Sequence, residues 1–204
     1  MKKIILIIAF TILLIPTVKS QEKIQFGLKG GVNFTTMTSN DYLYDEKYKT
    51  GLYLGATVEI PLGKKFSIQP EILYSSQGIK GKALVNYPSL LPGPMPVVYA
   101  EHKLDYIKIP ILAKIYLAKN FAFEIGPSFN FLVNDQFTYT YDSYTQTDLA
   151  EKFELGGVVG LSYKVKSNVV VNANYLNGFS NVLKSPFDNS KSYGFSVGIG
   201  YLFK

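Results

Sequence analysis

No cysteine occurs among the 204 residues, so neither a disulfide framework nor a lipid-carrying cysteine is available. A fold without staples must be held by backbone hydrogen bonding and burial. Membrane-spanning helices are not to be expected either. The apolar run from Ile4 to Ile15 has twelve residues, short of the about 20 that a helical span needs. Histidine is represented once, by His102, and tryptophan not at all. No phosphate loop, zinc-ligand spacing or dinucleotide fingerprint appears, and no G-x-S-x-G accompanies the histidine. Asp41 with Asp45 and Glu46, and Asp142 with Asp148, lack calcium-loop spacing and read as solvated loop charge. These absences exclude most enzyme classes, predict no cofactor and no metal, and leave catalytic residues unassigned.

An excess of basic charge shrinks on inspection. Three of the 21 basic residues, Lys2, Lys3 and Lys19, fall in the first twenty positions, leaving 18 against 15 acidic and a net charge of +3. That balance gives no reason to expect nucleic acid. The first twenty residues combine Lys2-Lys3, the short apolar run, Pro16 and small Ser20, the pattern of a secretory signal peptide. The expected organisation is a signal segment over 1–20 and one domain over 21–204.

What the chain does have is alternation. Period-two patterning marks eight segments, near 24–35, 51–60, 66–77, 104–116, 121–133, 153–165, 169–178 and 193–203. The fifth is the plainest, with Phe121, Phe123, Ile125, Phe129, Phe131 and Val133 on one face and Glu124, Ser128 and Asn130 on the other. The fourth conflicts with itself: Leu104 and Tyr106 fall on its polar face unless a bulge intervenes. Connections alternate long and short. Residues 36–50, 78–103, 134–152 and 179–192 are long; 61–65, 117–120 and 166–168 are short. Long loops on one side and short turns on the other are the habit of outer-membrane barrels. Most segments also reach the roughly 9–11 residues of a tilted membrane-spanning strand, longer than the about 5–6 common in soluble sheets. Aromatics gather near segment ends, with Phe66, Phe121, Tyr163 and Phe203 at one level and Phe34, Tyr74, Phe131 and Tyr193 at the other. The reading is an all-β, eight-stranded antiparallel up-and-down transmembrane β-barrel with a packed polar lumen. The rival is a soluble lipocalin-like barrel, apolar inside. Alternation alone does not separate them, but a polar face rich in Gly, Ser and Asn suits a narrow interior.

Short motifs support this. Lys29-Gly30-Gly31-Val32-Asn33-Phe34, Pro70-Glu71-Ile72-Leu73-Tyr74, Ile107-Lys108-Ile109-Pro110-Ile111-Leu112 and Gly126-Pro127-Ser128 together resemble the PorT-like outer-membrane β-barrel domain of the Bacteroidota. The final Gly200-Tyr201-Leu202-Phe203 is similar to the C-terminal aromatic signal read by barrel insertion machinery, which assigns Tyr201 and Phe203 as the insertion signal. The resemblance implies location and fold more than activity. Its namesake serves the type IX secretion and gliding apparatus, while most members have no assigned role. Implied partners are outer-membrane lipid, the insertion machinery during assembly, and an envelope protein.

The predicted interior holds Glu59, Glu71, Glu124 and Glu154 with Lys29, Lys108, Lys114 and Lys164. Isolated buried charge is costly, so an ion-pair network plugging the lumen is expected. A charged constriction in a small pore is the alternative. His102, at the end of the second long loop beside Glu101 and Asp105, reads as polar surface; the rival is a lipid-modifying enzyme at the rim. The second loop, with Pro88, Pro92, Pro94 and Pro96, reads as stiff and extended. Thr and Tyr alternate over 137–144, which predicts a hairpin continuing past the membrane. The leading expectation is a structural or interaction protein of the outer membrane.

Overall fold

The computed structural model describes residues 23–38, 43–84, 97–139, 145–165, 168–184 and 189–203. The signal-like segment, the four prolines of the second loop, Asp41 and Asp142 lie outside them. Among the described residues nine strands form: β1 (Gln25–Thr38), β2 (Tyr44–Pro61), β3 (Phe66–Leu84), β4 (Val97–Ala118), β5 (Phe121–Tyr139), β6 (Thr145–Gln146), β7 (Phe153–Lys164), β8 (Val169–Gly178) and β9 (Lys191–Leu202). All pair antiparallel. The two residues of β6 only add to the top of β5. The other eight make a ring in chain order, closed by β1 against β9 from Gly27↔Leu202 to Thr38↔Lys191. This is the expected eight-stranded up-and-down barrel, and closure leaves no ladder edge for lipid to meet.

The alternation resolves inside out. Phe26, Leu28, Leu52, Leu54, Ile72, Phe195 and Ile199 point outward and are more than half exposed. Asn33, Glu71, Ser75, Lys108, Asn174 and Ser196 point inward and are buried. So wide an apolar exterior would aggregate in water, whereas lipid is its natural solvent. That excludes the lipocalin-like alternative. Along β5 the outward apolar residues run from Phe121 to Val133, which sets the height of the membrane band.

Strand starts at the short-turn end agree closely with the sequence reading; the opposite ends do not. β2, β3, β4 and β5 continue about seven residues past their expected ends. Above the band their outward positions become Lys80, Lys82, Glu101, Lys103, Gln136 and Thr138. The apolar signal stops there, but the backbone ladder goes on in water, with Lys80↔Glu101 and Ala83↔Val98 still in register. Of the hairpin expected around 137–144, residues 137–139 continue β5 and are met by β6 at Phe137↔Gln146, while 140–144 lie outside the described residues.

The conflict over Leu104 and Tyr106 has a definite answer. Both point inward and are 1% exposed, so β4 keeps its parity throughout. The irregularity belongs to β5, where the register steps from Asp105↔Asn134 to Tyr106↔Leu132. Beyond that bulge β5 turns Asp135 and Phe137 inward. In the middle of the barrel, Tyr53 of β2 lies across β1 and β9. A β-carbon at Gly198 would overlap the Tyr53 hydroxyl, so glycine there is what admits the ring; the hydroxyl receives Asn172 Nδ2 at 3.2 Å.

Candidate functional site

The lumen is built in levels. Nearest the short turns, Glu59 receives Ser67 Oγ at 3.2 Å and the Tyr116 hydroxyl. Lys114 sits at the junction. Its ammonium lies 3.4 Å from Glu59, 3.3 Å from Glu124 and 2.9 Å from Gln69 Oε1. Gln69 donates onward to Glu71 at 2.5 Å, and Lys29 donates to both Glu71 oxygens at 2.9 and 3.2 Å. Tyr116, Glu59, Lys114, Gln69, Glu71 and Lys29 thus form one connected chain across β4, β2, β3 and β1. All but Tyr116 are fully buried. In low dielectric such charges persist only when paired and hydrogen-bonded, and the period-two pattern puts them all on the inner face.

Higher up, Glu154 receives the Ser192 hydroxyl, and Asn33 donates to Ser75 at 2.8 Å. Lys108 is buried at this level and forms no ion pair among the described residues. Lys164 departs most from its expected place. It is half-buried at the turn-end opening and donates to Gln25 at 3.4 Å rather than to a carboxylate. Cavities between these levels are about 30, 20 and 10 Å³, each near the size of one water or two. Tyr201 and Phe203 face outward near the turn end, with ring centres 5.4 Å apart.

At the loop end the lumen closes on an apolar cluster of Met37, Ile79, Val98, Leu104, Tyr106 and Val182. His102 belongs to this cap and is not surface: it lies on β4, is 1% exposed, and its Nε2 meets Asp135 Oδ1 at 2.7 Å. The other Asp135 oxygen accepts the backbone N–H groups of Leu149 and Ala150, each at 2.7 Å. Asp135 therefore ties the cap to the segment that returns toward β7. Burial pushes its carboxyl up, but the bonds from His102 and from the Ala150 and Leu149 N–H groups outweigh this and hold it below the usual carboxylate range. Sequence reasoning missed this dyad because the β5 bulge that turns Asp135 inward leaves no trace in period two.

No group of three or more His, Asp or Glu side chains among the described residues is arranged to hold a metal ion. The sequence pattern of the outer membrane protein β-barrel domain family matches residues 19–184. The chain belongs to that family. Among solved structures, it is similar to Neisserial surface protein A at 15% identity and a TM-score of 0.56, over 89% of this chain and 100% of that one. It is also similar to Ail, the attachment invasion locus protein of Yersinia pestis, solved in complex with the heparin analogue sucrose octasulfate. The identity is 14% and the TM-score 0.52, over 89% of this chain and 100% of Ail. At these identities the likeness carries the fold. No curated protein matches in sequence. As a member of the barrel family, the chain is an outer-membrane protein whose polar network is the filling of its lumen.

Proposed function

We propose that this barrel is a structural and protein-interaction element of the outer membrane, without enzymatic activity, of the PorT-like group of the Bacteroidota. The signal-like residues 1–20 support export, and the loop lengths support long loops outside with short turns and both mature termini in the periplasm. An accessory place in secretion or envelope assembly is the finer form of the same reading.

One observation carries it. Strands β2 to β5 are 18, 19, 22 and 19 residues long, where a tilted strand needs about 9–11 to cross. The excess forms a raised wall above the band, stiffened by the apolar cap and the His102–Asp135 tie. A barrel that only had to sit in lipid would need none of this. The wall is braced outside by Lys80 to Glu101 at 3.2 Å and Lys82 to Asp45 at 2.7 Å, and it presents Tyr99, which is 60% exposed. Rigid platforms bind with little ordering cost. A rim enzyme is disfavoured because His102 is sealed inside the cap, out of reach of substrate.

The test is purification of the tagged protein from native outer membranes in mild detergent. The expected result is a near-stoichiometric partner that is lost when Tyr99→Ala and Lys80→Glu are combined. Recovery of the barrel alone overturns the interaction role.

A further inference from the structure

The two ends of the barrel treat charge differently. At the loop end most of the described lysines meet a carboxylate: Lys49 and Lys80 share Glu101, Lys82 meets Asp45, Lys103 Asp105 and Lys184 Asp148, while Lys47, Lys152 and Lys191 form no ion pair among the described residues. At the turn-end opening none of the described lysines forms one. An open cavity of about 800 Å³ there is lined by Lys23, Lys64, Lys65, Lys119 and Lys164. Among the described residues its one carboxylate, Glu59, is already engaged from the lumen side by Ser67, Tyr116 and Lys114. Among the described residues, Lys23, Lys64, Lys65 and Lys119 form no ion pair. The sequence states the asymmetry more simply: the turns over 61–65, 117–120 and 165–168 carry Lys64, Lys65, Lys119 and Lys166 and not one Asp or Glu.

Such a ring of like charge is unfavourable for the barrel itself, since exposed surfaces ordinarily intersperse both signs. Folding does not require it either. Two-sided turns of Gly, Asn and Ser would close the same hairpins. The volume lies within the usual range of a ligand site, about 300–1,000 Å³. Every basic residue in the chain is lysine, with no arginine. Lysine recognises anions as a mobile point charge, not by the bidentate fork that fixes one planar group, which suits a flexible ligand with several spaced charges. Pro61, Leu117 and Ala118 share the lining with the lysines, and bare inorganic anions would make no use of them. The cavity lies at the turn end, beside the girdle level marked by Phe66, Phe121 and Phe203.

We propose that the turn-end vestibule binds an acidic peptide segment, its carboxylates met by the lysine ring and its apolar side chains by Leu117 and Pro61. The source of that segment rests on the reading that this end faces the periplasm; the binding itself does not.

The mature protein in nanodiscs of zwitterionic lipid tests the vestibule directly, with a fluorescent (Glu-Leu)4 peptide followed by anisotropy. Binding is expected. It should weaken about tenfold or more in the triple variant Lys64→Gln, Lys65→Gln, Lys119→Gln, and again when ionic strength is raised from about 0.05 to about 0.5 M. The pair Lys80→Gln, Lys82→Gln at the loop end should change nothing, and (Gln-Leu)4 should not bind. Equal binding by the triple variant, or by the neutral peptide, overturns the site. Displacement of the peptide by inorganic pyrophosphate at equal or lower concentration reassigns the cavity to small anions and overturns the peptide. Retained heat-modifiable mobility of the triple variant shows that the barrel still folds, and because the three lysines lie in exposed turns no folding loss is expected. Orientation is measured separately. The chain has no cysteine, so Lys119→Cys gives one thiol, expected to react with an impermeant maleimide only after the outer membrane is opened. Labelling in intact cells would remove the periplasmic source without touching the nanodisc result.

Discussion

At the scale of single residues, two buried groups hold more than their own position. Lys114 stands between Glu59 and Glu124, so Lys114→Met leaves two carboxylates in the lumen without their shared cation. Breaking a buried ion pair from one side costs about 3–5 kcal/mol. The expected result is a clear drop in the urea midpoint of the barrel refolded in micelles; a change near zero would mean that water, not Lys114, satisfies those carboxylates. Asp135 makes a pH-dependent prediction. Its folded pKa is lowered, so its stabilisation of the cap is complete at neutral pH. It is lost as the pH falls below the unfolded aspartate value, near 3.9. In an NMR titration the Leu149 and Ala150 amide signals should hold steady from pH 7 to about 5 and move toward free-amide positions only in the acid range. In Asp135→Ala, which removes the acceptor, they should already lie there at neutral pH. The Lys114 arrangement was legible in the sequence as a set of inward charges, though not which lysine would be the junction. Asp135 was not legible, because the bulge that aims it inward is a property of pairing between strands.

At the scale of elements, legibility follows the solvent. Within the membrane band each strand must alternate apolar out and polar in, so the pattern identifies strand, face and turn-end boundary together. Above the band both faces meet water or the cap, the alternation relaxes, and the strand tops of β2 to β5 disappear from the sequence although their ladders persist. Val197 tests the band itself. It points outward at the middle of β9, paired with Val32 on one side and Ala173 on the other. Val197→Arg should cost about 2–4 kcal/mol near the midplane, read as destabilisation against urea in lipid vesicles. Placed in the water-exposed wall, as Thr138→Arg, the same side chain should cost little. Equal effects at the two positions would mean that the band is not where the exposed apolar residues place it.

At the scale of the whole molecule, the question is whether anything passes through. An eight-stranded ring leaves an interior about wide enough for side chains, and here inward Tyr53, Tyr106, Leu112 and the Lys114 network occupy it. Among the described residues the lumen holds separate cavities of about 10 to 30 Å³, while a large opening at the turn end is lined at its inner side by Glu59 and Tyr116. The cap of Met37, Ile79, Leu104 and Val182 then seals the other end. An ion crossing this path would have to separate Lys114 from its carboxylates and strip its own hydration against an apolar lid. Both steps cost far more than an applied voltage of about 100 mV supplies, roughly 2.3 kcal/mol per charge. Reconstituted in a planar bilayer, the protein should therefore leave the current at baseline. Removing the cap charge with Asp135→Asn should not open it, because the apolar cluster and the lumen levels below are independent barriers. Steady, resolvable conductance steps in the unaltered protein would establish a continuous water path and replace the packed pin with a pore.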